Sequence, residues 1–460
     1  MNNNELYKKT LALAAPMMIQ NGITNAVGLV DNVMVGSLGT EAMTAVSIAG
    51  QLLFVFSLAI FGGLAGPGIY GAQFYGQNNT VGLKNTFRMK WLICAVCLAI
   101  AIPLFVFKGD FLLKLYLKGD SNGIDPELIV SHGLDYLHIM LWGLIPFVIT
   151  QVYAGSLRET GNSVTPMIAG ICSVCADILF NYMLIYGNFG MPRLGVRGAA
   201  IATNIARVIE MSIIVISAHT GKNKPAFLDG VYKSFKIPQS LAGDIVRKGL
   251  PIFLNELLWS GGIAALTQCY SLRGMDIIPG INISNALCNL LNVVFIALGN
   301  AIGIVIGQLL GAGEFERARK SSFGLAGLSG GICVGLTVIL VALSGVFPKL
   351  YNVTEEVRHL GSSFIIITAL FFPVQGVLNS LYFTLRSGGK TFVTFLFDSV
   401  FSWVVSVPLA LALCKLTDLP ILPLYAAVQA TDIIKCVIGA VLIKKGVWIT
   451  SVVGAEKAAE

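Results

Sequence analysis

The chain has 460 residues, of which 55% are hydrophobic and only 12% charged, about half the charge of an ordinary soluble domain, where roughly 25% is usual. Apolar runs of about 20 residues, enough to cross a roughly 30 Å hydrocarbon core, recur from end to end. A soluble globular enzyme is therefore excluded, and the net charge of +7 is explained below by membrane topology, with no nucleic-acid partner.

In chain order, the polar start at Met1–Thr10 carries Lys8 and Lys9 straight into the first apolar stretch, without a cleavable leader pattern. Twelve spans are predicted, near residues 10–36, 43–68, 87–107, 130–155, 164–187, 197–218, 243–270, 276–307, 321–347, 359–383, 392–414 and 421–443. The longest hydrophilic connection, Lys222 to Arg247, carries Pro225 and Pro238. The expected organisation is thus a six-helix lobe over 1–220, a linker over 221–248 and a second six-helix lobe over 249–460. Of the 31 Lys and Arg, twenty fall on the side of the N-terminus, nine on the other side, and Arg207 and Lys435 within spans. This bias predicts that both termini are cytoplasmic. Lys118, Lys222 and Lys457 contribute to that count.

The chain contains itself twice. Pro16 and Pro251 stand 235 residues apart, and at the same offset Gly68, Gln73 and Gly76 match Gly303, Gln308 and Gly311. Arg158-Glu159-Thr160-Gly161 returns as Arg386-Ser387-Gly388-Gly389 at an offset of 228. Duplicated membrane halves mark transporters whose site lies at the repeat interface. Gly299, Gly303, Gly307 and Gly311 form a ladder on one helix face, mirrored loosely by Gly62, Gly66, Gly68 and Gly71. Small residues at this spacing suit static close packing of helices, or a sliding seam.

Two CxxC pairs (Cys94/Cys97 and Cys172/Cys175) lie in apolar segments without the further Cys or His of a zinc site, and read as small packing residues. The four His are scattered. No cofactor and no catalytic constellation is expected. The informative residues are the intramembrane acids, each costing about 2.5–3.5 kcal/mol at mid-span on insertion scales. Asp31 falls in the outer half of the first span. Asp177 and Asn181 lie about 21 and 27 Å along the fifth, and Thr203 about 12 Å in from the opposite end of the sixth. All four reach a similar depth. Two carboxylates, an amide oxygen and a hydroxyl suit a hard cation such as Na⁺; the pair could equally hold a proton, since like charge and burial favour the protonated carboxyl.

In the second half Glu256 and Asp398 each lie about 12 Å deep, on helices that the repeat equates with the first and fifth. They are candidates for a second cation site or for attracting a cationic substrate, with Trp259 and Trp403 as cation–π faces and Gln308 nearby in the same half. Arg207 and Lys435 are repeat equivalents, each with an acid three residues away (Glu210, Asp432), the spacing of a local ion pair. Arg158 and Arg386 read as residues that fix loop geometry.

The first span, with Pro16 and then Val30-Asp31-Asn32-Val33-Met34-Val35-Gly36, resembles the opening signature of the multidrug and toxic compound extrusion (MATE) family of the MOP flippase superfamily. Leu157–Asn162 and Leu194–Thr203 resemble further family segments, and the resemblance covers essentially the whole chain. It implies an all-α protein of twelve transmembrane helices in two six-helix lobes in a V, exporting amphipathic organic cations against Na⁺ or H⁺. Asp31 matches the family's first-helix acid. One branch has Asn then Asp on the fifth helix, whereas here Asp177 precedes Asn181. Glu256 resembles the seventh-helix acid of another branch, whose tenth-helix Asp aligns with Gln375; Asp398, one helix later, is a substitute.

The expected protein is a monomeric, multi-pass transporter of a bacterial plasma membrane, in contact with lipids and small amphipathic cations. The competing function is export of lipid-linked saccharides or another amphipathic metabolite. A pyrophosphate carrier would want basic residues in its cavity, where this chain offers mainly acids.

Overall fold

The computed structural model describes residues 3–117, 126–220, 224–274 and 276–454; Lys118, Lys222, Lys457 and the first three residues of the expected linker lie outside them. The described residues are helical with no strand. In chain order the membrane helices are α1 (Asn3–Gly36), α2 (Thr40–Gly76), α3 (Thr80–Tyr116), α4 (Pro126–Glu159), α5 (Val164–Tyr186) and α6 (Val196–Thr220). The second half repeats the series as α7 (Gln239–Ser271), α8 (Ile277–Gly311), α9 (Phe315–Ser344), α10 (Glu355–Ser387), α11 (Thr391–Leu416) and α12 (Ile421–Lys444).

Eleven of these twelve are long and apolar enough to cross a membrane. The exception is α1, whose Lys8, Lys9, Asn21, Asn25, Asp31 and Asn32 dilute its apolar character. Most helices run past the apolar cores read from sequence, since the ends are polar and still helical. The repeat holds to the residue at several ends: α2 stops at Gly76 and α8 at Gly311, and α4 stops at Glu159 and α10 at Ser387. Outward faces are apolar, with Phe107, Trp142 and Val338 largely exposed, as lipid contact requires.

The described chain forms two compact units. One contains Ile19–Gly68 and Thr80–Ala242; the other contains Met1–Met18, Ile69–Asn79 and Gly243–Glu460. Three helices therefore contribute to both units: α7 gives only its first turn, Gln239–Ala242, to the first, whereas α1 and α2 change over near a proline, Pro16 and Pro67. A proline inside a helix removes one backbone hydrogen bond and bends the rod.

In the first unit α5 and α6 form a close hairpin. α5 ends where Gly187 takes a left-handed φ of 77° and its N–H bonds back to the Met183 carbonyl at 3.0 Å. The chain returns through Leu194, whose N–H bonds the Leu184 carbonyl at 2.8 Å, and a Cβ at Gly198 would press on that same carbonyl. This fixes Asp177 and Asn181 opposite Thr203. The linker docks on the same unit: Arg88 donates to the Val231 carbonyl at 2.9 Å, and the Tyr232 hydroxyl bonds that of Tyr153, which also meets His219 Nε2 at 2.9 Å. Burial pushes the Tyr232 phenol above its ordinary range, so it keeps its proton. α7 begins inside the stretch read as linker.

In the second unit α10 packs along α8 and α9. The glycine ladder of α8 has a division of labour. Gly299 and Gly303 make room for the Phe383 ring of α10, whereas Gly307 faces Ala72 and Gly311 faces the Gln73 carbonyl of α2. Gly76 faces the Gln308 carbonyl in return, so two repeat-equivalent Gly–Gln pairs lock the ends of α2 and α8 together. Unlike its counterpart α5, α11 is not regular: it widens into π-helical turns at Leu396–Val400 and Ser402–Ser406.

Candidate functional site

The first unit brings Asp31, Asp177, Asn181 and Thr203 together. Asn181 Nδ2 donates to Asp31 Oδ1 at 2.9 Å. The Asp177 carboxyl lies against both the Asp31 carboxyl and the Thr203 hydroxyl. Thr203 gives its own proton to the Ala199 carbonyl at 3.1 Å, and Tyr136 of α4 stands against Thr203. Asp177 and Asn181 are buried, and Oδ1 of each has no hydrogen-bond partner. A buried polar atom without a partner costs about 1–3 kcal/mol, so two on adjacent turns call for a ligand. Oxygen donors alone fit a hard cation or a proton, and among the described residues neither carboxylate forms an ion pair.

Arg207 stands next to this cluster without neutralising it. Its Nη1 donates to the Gly143 carbonyl at 3.2 Å, and its guanidinium lies 5.2 Å from the centre of the Phe147 ring. The local Arg207–Glu210 pair expected from sequence is thus a looser arrangement, in which Glu210 lies between Arg158 and Arg207. Arg158 is no loop residue: it ends α4 and donates to Gln20 Oε1 of α1 at 2.9 Å.

The second unit holds a different network. Asp398, in the first wide turn of α11, accepts from Asn255 Nδ2 at 3.1 Å and meets Lys435 Nζ at 3.4 Å. Lys435 also stands 3.6 Å from Asp432, so the expected local pair is present, and it donates to Ser402 Oγ at 2.9 Å. Gln375 donates to the other Asp432 oxygen at 2.5 Å. Glu256 shares its surroundings with Arg386 and Asp398. Trp403 donates to the Leu258 carbonyl at 2.8 Å with its ring over Gly261, and Trp259 is 42% exposed. Gln308 is placed elsewhere: at the end of α8, it accepts from Lys9 Nζ at 2.7 Å.

One buried charged pair escapes the sequence reading. Lys90 of α3 sits 2.7 Å from both carboxylate oxygens of Glu159 and 2.8 Å from Ser156 Oγ. In sequence Lys90 is one of the twenty basic residues on the side of the N-terminus, and Glu159 belongs to the repeated Arg158–Gly161 motif. The available signal was that Lys90 lies ten residues inside α3.

A duplicated, all-helical, multi-pass membrane protein, with a buried and a half-buried acid meeting in one half without an ion pair, is built as a membrane transporter. The MatE family model matches residues 16–183 and 251–412, one stretch in each half of the repeat, and the chain belongs to the MatE family. It is 26% identical over 437 residues to the probable multidrug resistance protein YoeA of Bacillus subtilis, covering 92% of this chain and 90% of that one. With the probable multidrug resistance protein NorM of Thermotoga maritima it shares 22% over 457 residues, covering 96% and 93%. Its fold matches a structure described as the outward-facing conformation of a multidrug resistance MATE family transporter of the MOP superfamily, with a TM-score of 0.86 at 18% identity over 96% of both chains.

Proposed function

We propose that this MATE transporter is a secondary exporter of amphipathic organic cations from a bacterial cell, driven by entry of Na⁺ or H⁺. The observation that carries this is the meeting of Asp31, Asp177, Asn181 and Thr203 with two buried oxygens unpartnered. That cluster takes the coupling cation. The cationic substrate is drawn by Glu256 beside the exposed rings of Trp259 and Trp403, and both termini face the cytoplasm. The names of the relatives, multidrug resistance proteins, support the substrate class. Against the alternative, a lipid-linked saccharide, stands the engagement of Lys90, Arg207 and Lys435 inside the described helices by protein groups.

Coupling requires that ion and substrate favour different conformations, since a ligand with equal affinity for both shifts nothing. The test is efflux of a fluorescent organic cation from proteoliposomes under separately imposed Na⁺ and pH gradients. One gradient is expected to drive efflux, with Asp31→Asn and Asp177→Asn each losing the gradient-driven component. Wild-type rates in both variants would sink the proposal; loss only in Glu256→Gln would move the ion to the second half.

A further inference from the structure

We infer that Lys435 is the resident cation of the second half, occupying the space between Asp398 and Asp432 that a small coupling cation would otherwise take, and so acts as a specificity-determining residue that confines the coupling ion to Asp31 and Asp177. The inference rests on the reading of that acid pair given above and deepens it.

The argument is an accounting of donors and acceptors. An ammonium has three N–H groups. Lys435 directs them at Asp398 Oδ1 (3.4 Å), Asp432 Oδ1 (3.6 Å) and Ser402 Oγ (2.9 Å), while only 7% of its side chain is exposed. The remaining carboxylate oxygens are taken too, Asp398 Oδ2 by Asn255 and Asp432 Oδ2 by Gln375. Every carboxylate oxygen of the pair thus has a partner, and a hard cation that needs several oxygen ligands would have to displace Lys435 or share each oxygen with a donor already in place. The wide turns of α11 belong to the same arrangement: Asp398 lies in one and Ser402 opens the next, and such turns recur at functional sites. Glu256 and Arg386 flank the network and complete its charged groups.

The repeat supplies the control. Arg207 is the equivalent of Lys435, but the Gly143 carbonyl and the Phe147 ring hold it away from Asp31 and Asp177. A planar guanidinium suits that backbone and ring contact, whereas a compact ammonium is a point charge of the kind a carboxylate pair can surround. One half has set its own ammonium between its two acids, and the other has no such ion pair at Asp31 and Asp177.

The test is calorimetric titration of NaCl, against choline chloride, into the purified full-length protein in detergent. Asp177→Asn is expected to show no saturable Na⁺ binding. Adding Lys435→Gln to that variant is expected to create one Na⁺ site per chain, which Asp398→Asn then removes. A monodisperse double variant with no gained site overturns the inference. Should Lys435→Gln fail to yield folded protein, Asp398→Asn alone decides: Na⁺ affinity is expected to stay within about twofold of wild type, and a loss of about tenfold or more overturns the proposal. Persistence of Na⁺ binding in Asp177→Asn would instead count against the coupling site itself, and the gain on removing Lys435 is read independently of it.

Discussion

Lys90 is 1% exposed and held by Glu159 and Ser156, which makes it the most deeply buried cation described. Breaking such a pair leaves an uncompensated charge in a low-dielectric interior, at a cost of about 3–5 kcal/mol, whereas replacing both members by apolar groups is often neutral. Glu159→Gln is therefore expected to lower the thermal midpoint of the purified protein sharply, and Lys90→Met with Glu159→Leu to restore most of it; equal midpoints for Glu159→Gln and wild type would show that the pair is not needed. Sequence alone could not reveal this pair. A lysine near a span end normally extends its stem to the interface, and only the packing of α3 on α4 decides that this one turns inward. The shared depth of Asp31, Asp177, Asn181 and Thr203 is legible, because helix rise converts residue number into depth; that they meet is decided by the packing of α1, α5 and α6. What sequence could not supply was the partner of each remaining atom: that Arg207 bonds a carbonyl, that Lys435 bridges two acids, and that Gln308 joins Lys9 at the end of α8.

The helices were readable as elements, and their glycines less so. A four-residue ladder announces close approach without naming what approaches, and here its two ends serve different neighbours, Phe383 on α10 and the backbone of α2. The contrast is testable within one unit. A methyl at Gly311 would collide with the Gln73 carbonyl, backbone that cannot swing aside, so Gly311→Ala is expected to cut the yield of folded, membrane-inserted protein severely. Gly327 and Gly331 of α9 meet nothing within 4 Å. Alanine there is expected to be neutral or to stabilise by about 0.5–1 kcal/mol through helix propensity, read as a small rise in thermal midpoint. The first helix shows the limit of hydropathy, since the polar residues that make α1 fall short as an apolar span include Asp31 itself.

At the scale of the molecule, duplication preserved helix ends, glycines and prolines while the charges diverged. Asp31 aligns with Leu266, Glu256 with Asn21, and Asp398 with Gly170. That divergence is legible in sequence; the allotment of residues to compact units is not, because a helix that passes from one unit to the other looks continuous in sequence. It bears on how the protein is made. Leu6, Leu13 and Ala14 pack with Leu298, Ile302 and Ile306, so these turns of α1 find their partners only after nearly 300 further residues have been made. At a synthesis rate of about 5–20 residues per second that is a delay of roughly 15 to 60 seconds. In a chain halted at Ala242 a cysteine placed at Leu6 should react with a water-soluble maleimide, with protection appearing only once the second half is supplied, since Leu6 is 1% exposed in the finished fold. These early turns of α1 are thus among the last parts of the fold to be finished, although they are made long before the residues they pack against.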